Sequence, residues 1–501
     1  MDRRSFLKIG GTFFALGVGC KFDSPSKESN FGITVDSNRN IGHLARNAVS
    51  QAVSQNLTTD VLIVGGGIAG LAAASSLKGR AFLLCEMNPK LGGTSSAVNI
   101  GGTQFSQGAH YDLSYPGYYG KESLSLLERL DIIQWNGLNN RWDFVEKKYL
   151  IDPKNEERCF ANGVFMESVL PNSELRQNMI DLLKPYVGKM LLPTTQISTE
   201  MHWLDQLSFY AYLEKYLPIT DEFIESIDYQ MLDDFGGTSR EISAMAGIHY
   251  YTCRPYFSKP APELFSPPEG NYYFINKMAR SLPKESVKTN YLVVAASKQS
   301  DHWLTDVWSV QENRKIRIKS RNIIYAGQKH LLKYLYPKAY SQFKDVTYTA
   351  WVVVNIELNG EEITSNFWQN DYLSPHGQFL GFVNSKTQYS NGNRVLSAYY
   401  CYPGVYHYMV QEIEKYPKKI VDETIGYLST YYSQDLTKYV KHAYVKLLGH
   451  AMPIPVPGFL TKQREPAVEG MSFAGVDSGR LPLMFDAMDS GIQAANVLSE
   501  T

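Results

Sequence analysis

The chain has 501 residues, 44% of them hydrophobic and 20% charged, with 49 basic against 50 acidic side chains. So apolar and evenly charged a chain is neither disordered nor suited to charge-driven binding of nucleic acid or anionic lipid, since the first needs low hydrophobicity and the second a basic excess. Its length exceeds the roughly 250–300 residues at which single cores stop growing, so more than one domain is expected. Cys20, Cys85, Cys159, Cys253 and Cys401 follow no C-x-x-C spacing and join no Cys/His cluster, so no metal site and no disulfide framework is expected.

The first element is an address. Arg3 and Arg4 precede Phe6, Leu7 and Lys8, and the apolar run Ile9 to Gly19 is too short to span a bilayer, which takes about 20 residues. Asp2 to Lys8 resembles the bacterial twin-arginine signal, which implies handling by the twin-arginine export machinery and a cofactor inserted before export. Gly19 and Cys20 resemble a lipoprotein cleavage box in which Gly17 stands where Leu is usual, so a lipid anchor at Cys20 and its absence both remain open. Residues 1–20 are thus read as signal and 21–57, rich in Ser and Asn, as a polar tether. A periplasmic or otherwise exported protein is the implied location, with membrane anchoring if Cys20 is acylated.

TTDVLIVGGGIAGLAAASSL follows at 58–77. Val61 to Val64 reads as a buried parallel strand. Gly65, Gly67 and Gly70 then form G-x-G-x-x-G at the head of an Ala/Leu-rich helix that includes Ala69. The first glycine allows a tight turn, the second lets backbone approach a pyrophosphate, and the third lets helix and strand pack closely. A second strand, Ala81 to Cys85, ends in Glu86, 21 residues after Gly65, where an acid can accept hydrogen bonds from both ribose hydroxyls. Gly92, Gly93 and Thr94 come next.

The stretch from Gly65 to Thr94 resembles the flavin amine oxidase and phytoene desaturase superfamily, with an E-x(5)-G-G continuation after the ribose acid. Thr94 departs from it by replacing the usual arginine with a neutral hydroxyl. GMSFAGVDSGRLPLMFDAMDSGIQAANVL at 470–498 is similar to the same superfamily's C-terminal flavin motif. The resemblance implies noncovalent FAD, with Gly475, Asp477, Met484 and Ser490 near it. Asp486 replaces a usual glycine and is read as an exposed helix cap.

Between these ends, 101–112 resembles the stretch that passes the flavin ring, with Gly108, Ala109 and His110 nearest. Residues 267–282 resemble a loop and helix re-entering the nucleotide domain, and 321–327 its adjoining strand. Trp351 to Leu358 reads as a strand, and 201–217 has apolar spacing for a helix. The expected fold class is α/β: a Rossmann-type FAD-binding domain, doubly wound on a mainly parallel sheet, interleaved with an α+β substrate domain that holds a mixed sheet and helices. The FAD-binding domain takes 58–112, 255–345 and 445–501, and the substrate domain 113–254 and 346–444.

The resemblance implies an FAD-dependent oxidoreductase acting by hydride transfer on a C–N or C–C bond of a small or partly apolar substrate, with oxygen or a quinone as electron acceptor. Amine oxidases of the superfamily usually place a lysine beside the flavin, and here Trp351 falls there. HAMPIPVPGF at 450–459 looks more like the approach seen in desaturase-like members. A desaturase or isomerase with a non-oxygen acceptor, and a noncatalytic flavoprotein serving as an interaction module, therefore stay open. His110, His249 and His450 are the candidate proton acceptors, His110 first, and each also fits ordinary packing. Cys85 and Cys401 read as structural.

Overall fold

The computed structural model describes residues 31–44, 51–77, 79–108, 119–253, 264–359, 367–373, 377–404 and 406–498. The chain divides into residues 1–31 and a unit from Gly32 to Thr501, which holds both sheets. His110, Ala109, Cys20 and the paired arginines lie outside the described residues.

The chain begins with β1 (Gly32–Ser37), α1 (Arg39–Leu44), β2 (Val53–Val64), α2 (Ile68–Ser76) and β3 (Phe82–Cys85), followed by the hairpin β4 (Ala97–Ile100) and β5 (Thr103–Ser106). Next come β6 (Glu157–Ala161), β7 (Val164–Met166), α3 (Asp221–Phe235), α4 (Ala244–Cys253) and α5 (Tyr272–Ser281). A run of strands follows: β8 (Val287–Lys288), β9 (Tyr291–Lys298), β10 (Trp303–Ser309) and β11 (Arg314–Tyr325). Then come β12 (Tyr348–Leu358), β13 (Gln369–Leu373), β14 (Phe379–Asn384) and β15 (Val395–Tyr402). The chain closes with β16 (Val440–Pro453), β17 (Ala467–Val468), β18 (Met471–Phe473) and α6 (Met484–Val497).

Two large sheets organise these elements. The first runs β8–β3–β2–β11–β10–β9, and β18, itself paired with β17, adds to β11. Its β8, β3, β2, β11 and β18 pair in parallel, and β10 and β9 extend it as an antiparallel meander. Val61, Leu62 and Ile63 are sealed completely, which is why this stretch is continuously apolar and not alternating. Helices α2, α5 and α6 lie together against it through one apolar cluster. The second sheet is mixed, in the order β1–β16–β12–β15–β14–β13–β6–β7. Thr220 caps α3 by accepting from the Phe223 N–H, and Gly236 ends that helix in the left-handed conformation at φ 71°. The protein is thus α/β, a Rossmann-type sheet interleaved in sequence with a mixed sheet.

Three expectations need correction. The polar tether proposed for 21–57 does not hold at Gly32–Ser37 or from Val53: β1 pairs in parallel with β16, Ile33 beside Ala443 and Val35 beside Val445, and β2 already begins at Val53. Gly32–Val35 of β1 and Val53–Thr59 of β2 alternate exposed and less exposed residues, so their polar content reflects a half-solvated strand face. Strand β16 runs without interruption through the boundary expected at 444/445. The helix expected over 201–217 is broken: a 3₁₀ segment covers Thr199–Gln206, and Phe209–Tyr216 starts anew because Ser208 accepts from the Ala211 N–H.

Candidate functional site

Backbone geometry builds the first half of the site. Strand β2 delivers the chain to Gly65, whose φ of 106° makes the turn, while its N–H donates to the Cys85 carbonyl at 2.9 Å. At Gly70 a Cβ would fall 2.0 Å from the Gly65 carbonyl oxygen, so only hydrogen lets α2 rest on the end of β2. Gly67 differs: it caps α2 with no side chain bonding the helix end, and a Cβ there would meet nothing nearer than the Gly92 carbonyl at 3.8 Å. Free N–H groups of the first helical turn therefore face an open space, the arrangement that receives a phosphate.

The second glycine pair closes this cradle. Gly92 N–H donates to the Gly66 carbonyl at 2.9 Å, and a Cβ on Gly93 would lie 3.5 Å from the Gly67 Cα. Gly108 rests against Thr94 so closely that a Cβ would fall 1.7 Å from the Thr94 carbonyl oxygen, which returns the 101–108 stretch to the cradle. Glu86 is buried at the end of β3, one oxygen accepting from the Gly66 N–H at 2.8 Å and the other from the Asn88 N–H at 2.9 Å. Burial pushes its carboxyl above the usual range, against the pull of those two N–H groups and the charge of Lys446. Its remaining lone pairs can still accept from ribose hydroxyls.

The C-terminal motif arrives on the same sheet. Strand β18 pairs with Ile323–Tyr325 of β11, and Gly475 turns at φ 120° with its N–H donating to Ser490 Oγ at 2.7 Å. Helix α6 packs on α2 almost backbone to backbone, since a Cβ on Gly491 would lie 2.1 Å from the Ala69 carbonyl. Met484 opens α6 with no side chain capping the helix, so this end too offers N–H groups.

Asp477 and Asp486 are more heavily engaged than the sequence implied. Asp477 is buried, and its carboxylate accepts from Lys329 Nζ at 2.8 Å, from the Lys329 N–H at 2.9 Å and from Tyr348 Oη at 2.8 Å. Lys329 is sealed from solvent and also donates to the Ala474 carbonyl at 2.6 Å. Asp486, expected as an exposed cap, is instead fully buried: it accepts from the Thr194 N–H at 2.9 Å and the Thr194 hydroxyl at 2.8 Å, with Arg480 at 3.6 Å. A carboxylate occupies this place because the Arg480 guanidinium, also held by Asp489 at 2.7 Å, stands beside it. Burial raises the Asp486 carboxyl, and the Arg480 charge and Thr194 bonds oppose the rise.

One face of the second sheet roofs the cradle. Trp351, Val353 and Asn355 of β12 stand opposite Cys401, Tyr399 and Ser397 of β15. Asn355 Nδ2 donates to the Ser106 carbonyl at 3.0 Å, tying this face to the strand that leads into Gly108. Trp351 stacks on Tyr399 with ring centroids 6.1 Å apart, and its indole N–H has no hydrogen-bond partner among the described residues. His450 of β16 stacks on His330 at 4.0 Å and meets the edge of Tyr348, the residue that holds Asp477. His249 is buried within α4. Burial pushes the Cys85 and Cys401 thiols up to about 12, which keeps both unreactive.

Sequence reasoning missed Lys329, Arg480, Thr194, Tyr399 and Lys446. Lys329 had a signal: a charged residue just past a sealed apolar strand, with Asp477 otherwise lacking a counter-charge. Among the described residues no group of His, Cys, Asp and Glu could hold a metal ion.

These parts fit a dinucleotide. The glycine gap at Gly67 would be filled by a Cβ, two helix ends lack side-chain caps, and buried Asn88 Oδ1, Ser96 Oγ and Ser478 Oγ have no hydrogen-bond partner among the described residues. Residues 63–130 match the model of an NAD(P)-binding Rossmann-like domain. No curated protein matches the chain. Among solved structures, a double mutant of putrescine oxidase, redesigned in its cofactor binding, superposes with TM-score 0.66 at 15% identity, covering 89% of this chain and 100% of that one. A protein described as a protoporphyrinogen oxidase from Exiguobacterium sp. 255-15 gives 0.63 at 15% identity, covering 90% and 100%. Cyclohexylamine oxidase from Brevibacterium oxydans IH-35A gives 0.62 at 15% identity, covering 88% and 99%. At such identities the likeness establishes the shared fold.

Proposed function

We propose that this protein is an FAD-dependent oxidoreductase of the amine oxidase-like kind, which removes a hydride from a carbon in a C–N or C–C bond of a small or partly apolar substrate. One observation carries the reading: two glycine motifs far apart in sequence end strands β2 and β18, which flank β11 in one parallel sheet, and α2 and α6 that follow them pack together through Gly491 against Ala69. Gly65, Gly67 and Gly70, with Gly92, Gly93 and Thr94, would hold the pyrophosphate by backbone, Glu86 the ribose, and the start of α6 at Met484 the flavin's polar edge. FAD held there would supply the two-electron acceptor. The chain's own work is to orient the substrate carbon, keep water out with the Trp351–Tyr399 wall, and offer N–H groups of α6 where negative charge accumulates.

Trp351 on the roof favours a quinone or other non-oxygen acceptor over oxygen. Purified protein should carry visible flavin absorbance that is released on denaturation, and substrate should bleach it. Colourless protein that fails to take up added FAD sinks the reading. Comparing hydrogen peroxide release with quinone reduction, over a panel of amines and unsaturated substrates, separates the acceptors, and flavin that nothing bleaches leaves a noncatalytic module.

Export belongs to the same proposal. Residues 1–20 are read as a twin-arginine signal, which gives a periplasmic or otherwise exported protein, held at a membrane if Cys20 is acylated. Arg3→Lys with Arg4→Lys should strand folded, coloured protein in the cytoplasm, and Cys20→Ala should release it from the membrane fraction. Unchanged fractionation of both variants rejects this part alone.

A further inference from the structure

Lys446 lies on the roof face of β16, opposite Val353 and two residue pairs along the ladder from Asn355 and its partner Tyr444. Asn355 lands on Ser106, and the chain from Ser106 to Gly108 packs directly on Thr94. Successive residues on one strand face are about 7 Å apart, so Lys446 stands about 7 Å along this face from Tyr444, whose partner Asn355 reaches the stretch that packs on Thr94. Lys446 is only 3% exposed. An ammonium has three donors, yet among the described residues its one hydrogen bond goes to Asp36 Oδ2 at 2.8 Å, on a side chain that is 46% exposed. A buried cation with two spare donors and one half-solvated partner is costly to keep unless an anion joins it. Its charge is felt at Glu86, the acid at the ribose end of the cradle. Around it the cradle offers backbone N–H groups and a neutral Thr94 side chain, while Lys90 in the adjoining loop faces solvent.

We propose that Lys446 is the cation that meets the pyrophosphate of the bound dinucleotide, reaching down from the second sheet, and that Asp36 of β1 is its resting partner, from which the ligand draws it. The inference rests on the reading that the cradle holds FAD. It makes the dinucleotide a bridge between the two sheets, and makes β1 a competitor for the same ammonium.

The test uses full-length protein freed of flavin, titrated with FAD, ADP and adenosine by calorimetry. Lys446→Met should weaken FAD and ADP about ten- to hundredfold, the range of a charge-assisted hydrogen bond, while leaving adenosine unchanged. It should also flatten the salt dependence of ADP binding, and Lys446→Arg should restore most of the loss. Asp36→Asn keeps an amide oxygen that can accept from the ammonium but removes the competing charge, so the protein without flavin should lose some stability while FAD and ADP bind several-fold more tightly. Wild-type affinity in Lys446→Met, or equal losses for ADP and adenosine, overturns the proposal. So does an Asp36→Asn variant that binds FAD no better than wild type, a readout that stands even if Lys446→Met fails to fold. Wild-type protein that binds neither FAD nor ADP rejects the FAD reading itself.

Discussion

Around Gly65–Gly70 and Gly92–Gly93 the molecule works with main chain: N–H groups, carbonyls and the absence of side chains at three or four points. Across the roof, Trp351, Asn355, Tyr399 and Lys446 work with side chains brought together from three strands by sheet register. The two regions therefore fail differently. A cradle of backbone tolerates almost any neighbour but no added Cβ, whereas a roof of side chains tolerates backbone drift but depends on each residue's chemistry. Lys329 and Asp477 join the two modes, because a side-chain ion pair there holds the Ala474 carbonyl and so fixes where the second glycine turn sits.

That junction should break most severely. Lys329→Met leaves the Asp477 carboxylate buried beside Tyr348 with its principal counter-charge gone, a loss expected to cost about 3–5 kcal/mol by urea denaturation. Pairing it with Asp477→Asn should recover much of that, since a neutral pair strands no charge. A double variant no better than the single one would show that the lysine acts by packing alone.

Within the cradle, two neighbouring glycines separate folding from binding. Gly70→Ala forces a methyl group to within 2.0 Å of a carbonyl that is part of the β2 turn, so about 3 kcal/mol of stability and the nucleotide should be lost together. Gly67→Ala has room, its nearest neighbour lying 3.8 Å away, so Tm should hardly move while FAD affinity collapses, because the methyl group enters the phosphate space. If Gly67→Ala binds FAD normally, the open space at α2 is not a phosphate site.

The same contrast governs what the amino-acid sequence reveals by itself. Gly65, Gly67 and Gly70 are legible because backbone needs select glycine at fixed spacing, Glu86 because an acid ends the next strand, and Gly92 and Gly475 through the resemblance of their motifs to a known superfamily. The end of strand β11 and helix α5 are legible through the resemblance of 321–327 and 267–282 to the superfamily's strand and helix at those places. Strand β1 is not, since a half-exposed strand at a sheet edge has the composition of a linker, and only its ladder with β16 reveals it. Asp486 is misjudged for a related reason. Its partner Thr194 comes from a remote stretch of chain, and no local pattern distinguishes a capping carboxylate from one matched to a distant hydroxyl and Arg480. Tyr399 and Lys446 are invisible in sequence because registry between β12, β15 and β16 decides who stands over the cradle, and registry is set by the whole sheet.

The smallest effect expected is on the roof's far side, and it is the one that pH controls. Asp371 of β13 is 2% exposed, accepts from Gln369 Nε2 at 2.9 Å and Tyr229 Oη at 3.2 Å, and faces Glu157 and Asp233, with Tyr399 close by. Burial first, and then the Asp233 charge, lift its carboxyl to about 6, while bonds from Glu157, Gln369 and Tyr229 oppose the rise. A carboxyl raised in the folded state binds its proton more tightly there than in the unfolded chain. The stability it contributes is therefore complete below about pH 4 and is lost as pH climbs through about 6. Asp371→Asn removes that penalty while keeping an acceptor for Gln369 and Tyr229. It should stabilise the protein at pH 8 by about 1–2 kcal/mol, below the ceiling of about 3 kcal/mol that the full shift implies, and change little at pH 4. Tm measured for both proteins across that range should diverge as pH rises, and parallel curves would mean that Asp371 is ionised throughout and that the acids of this face are matched by cation or solvent.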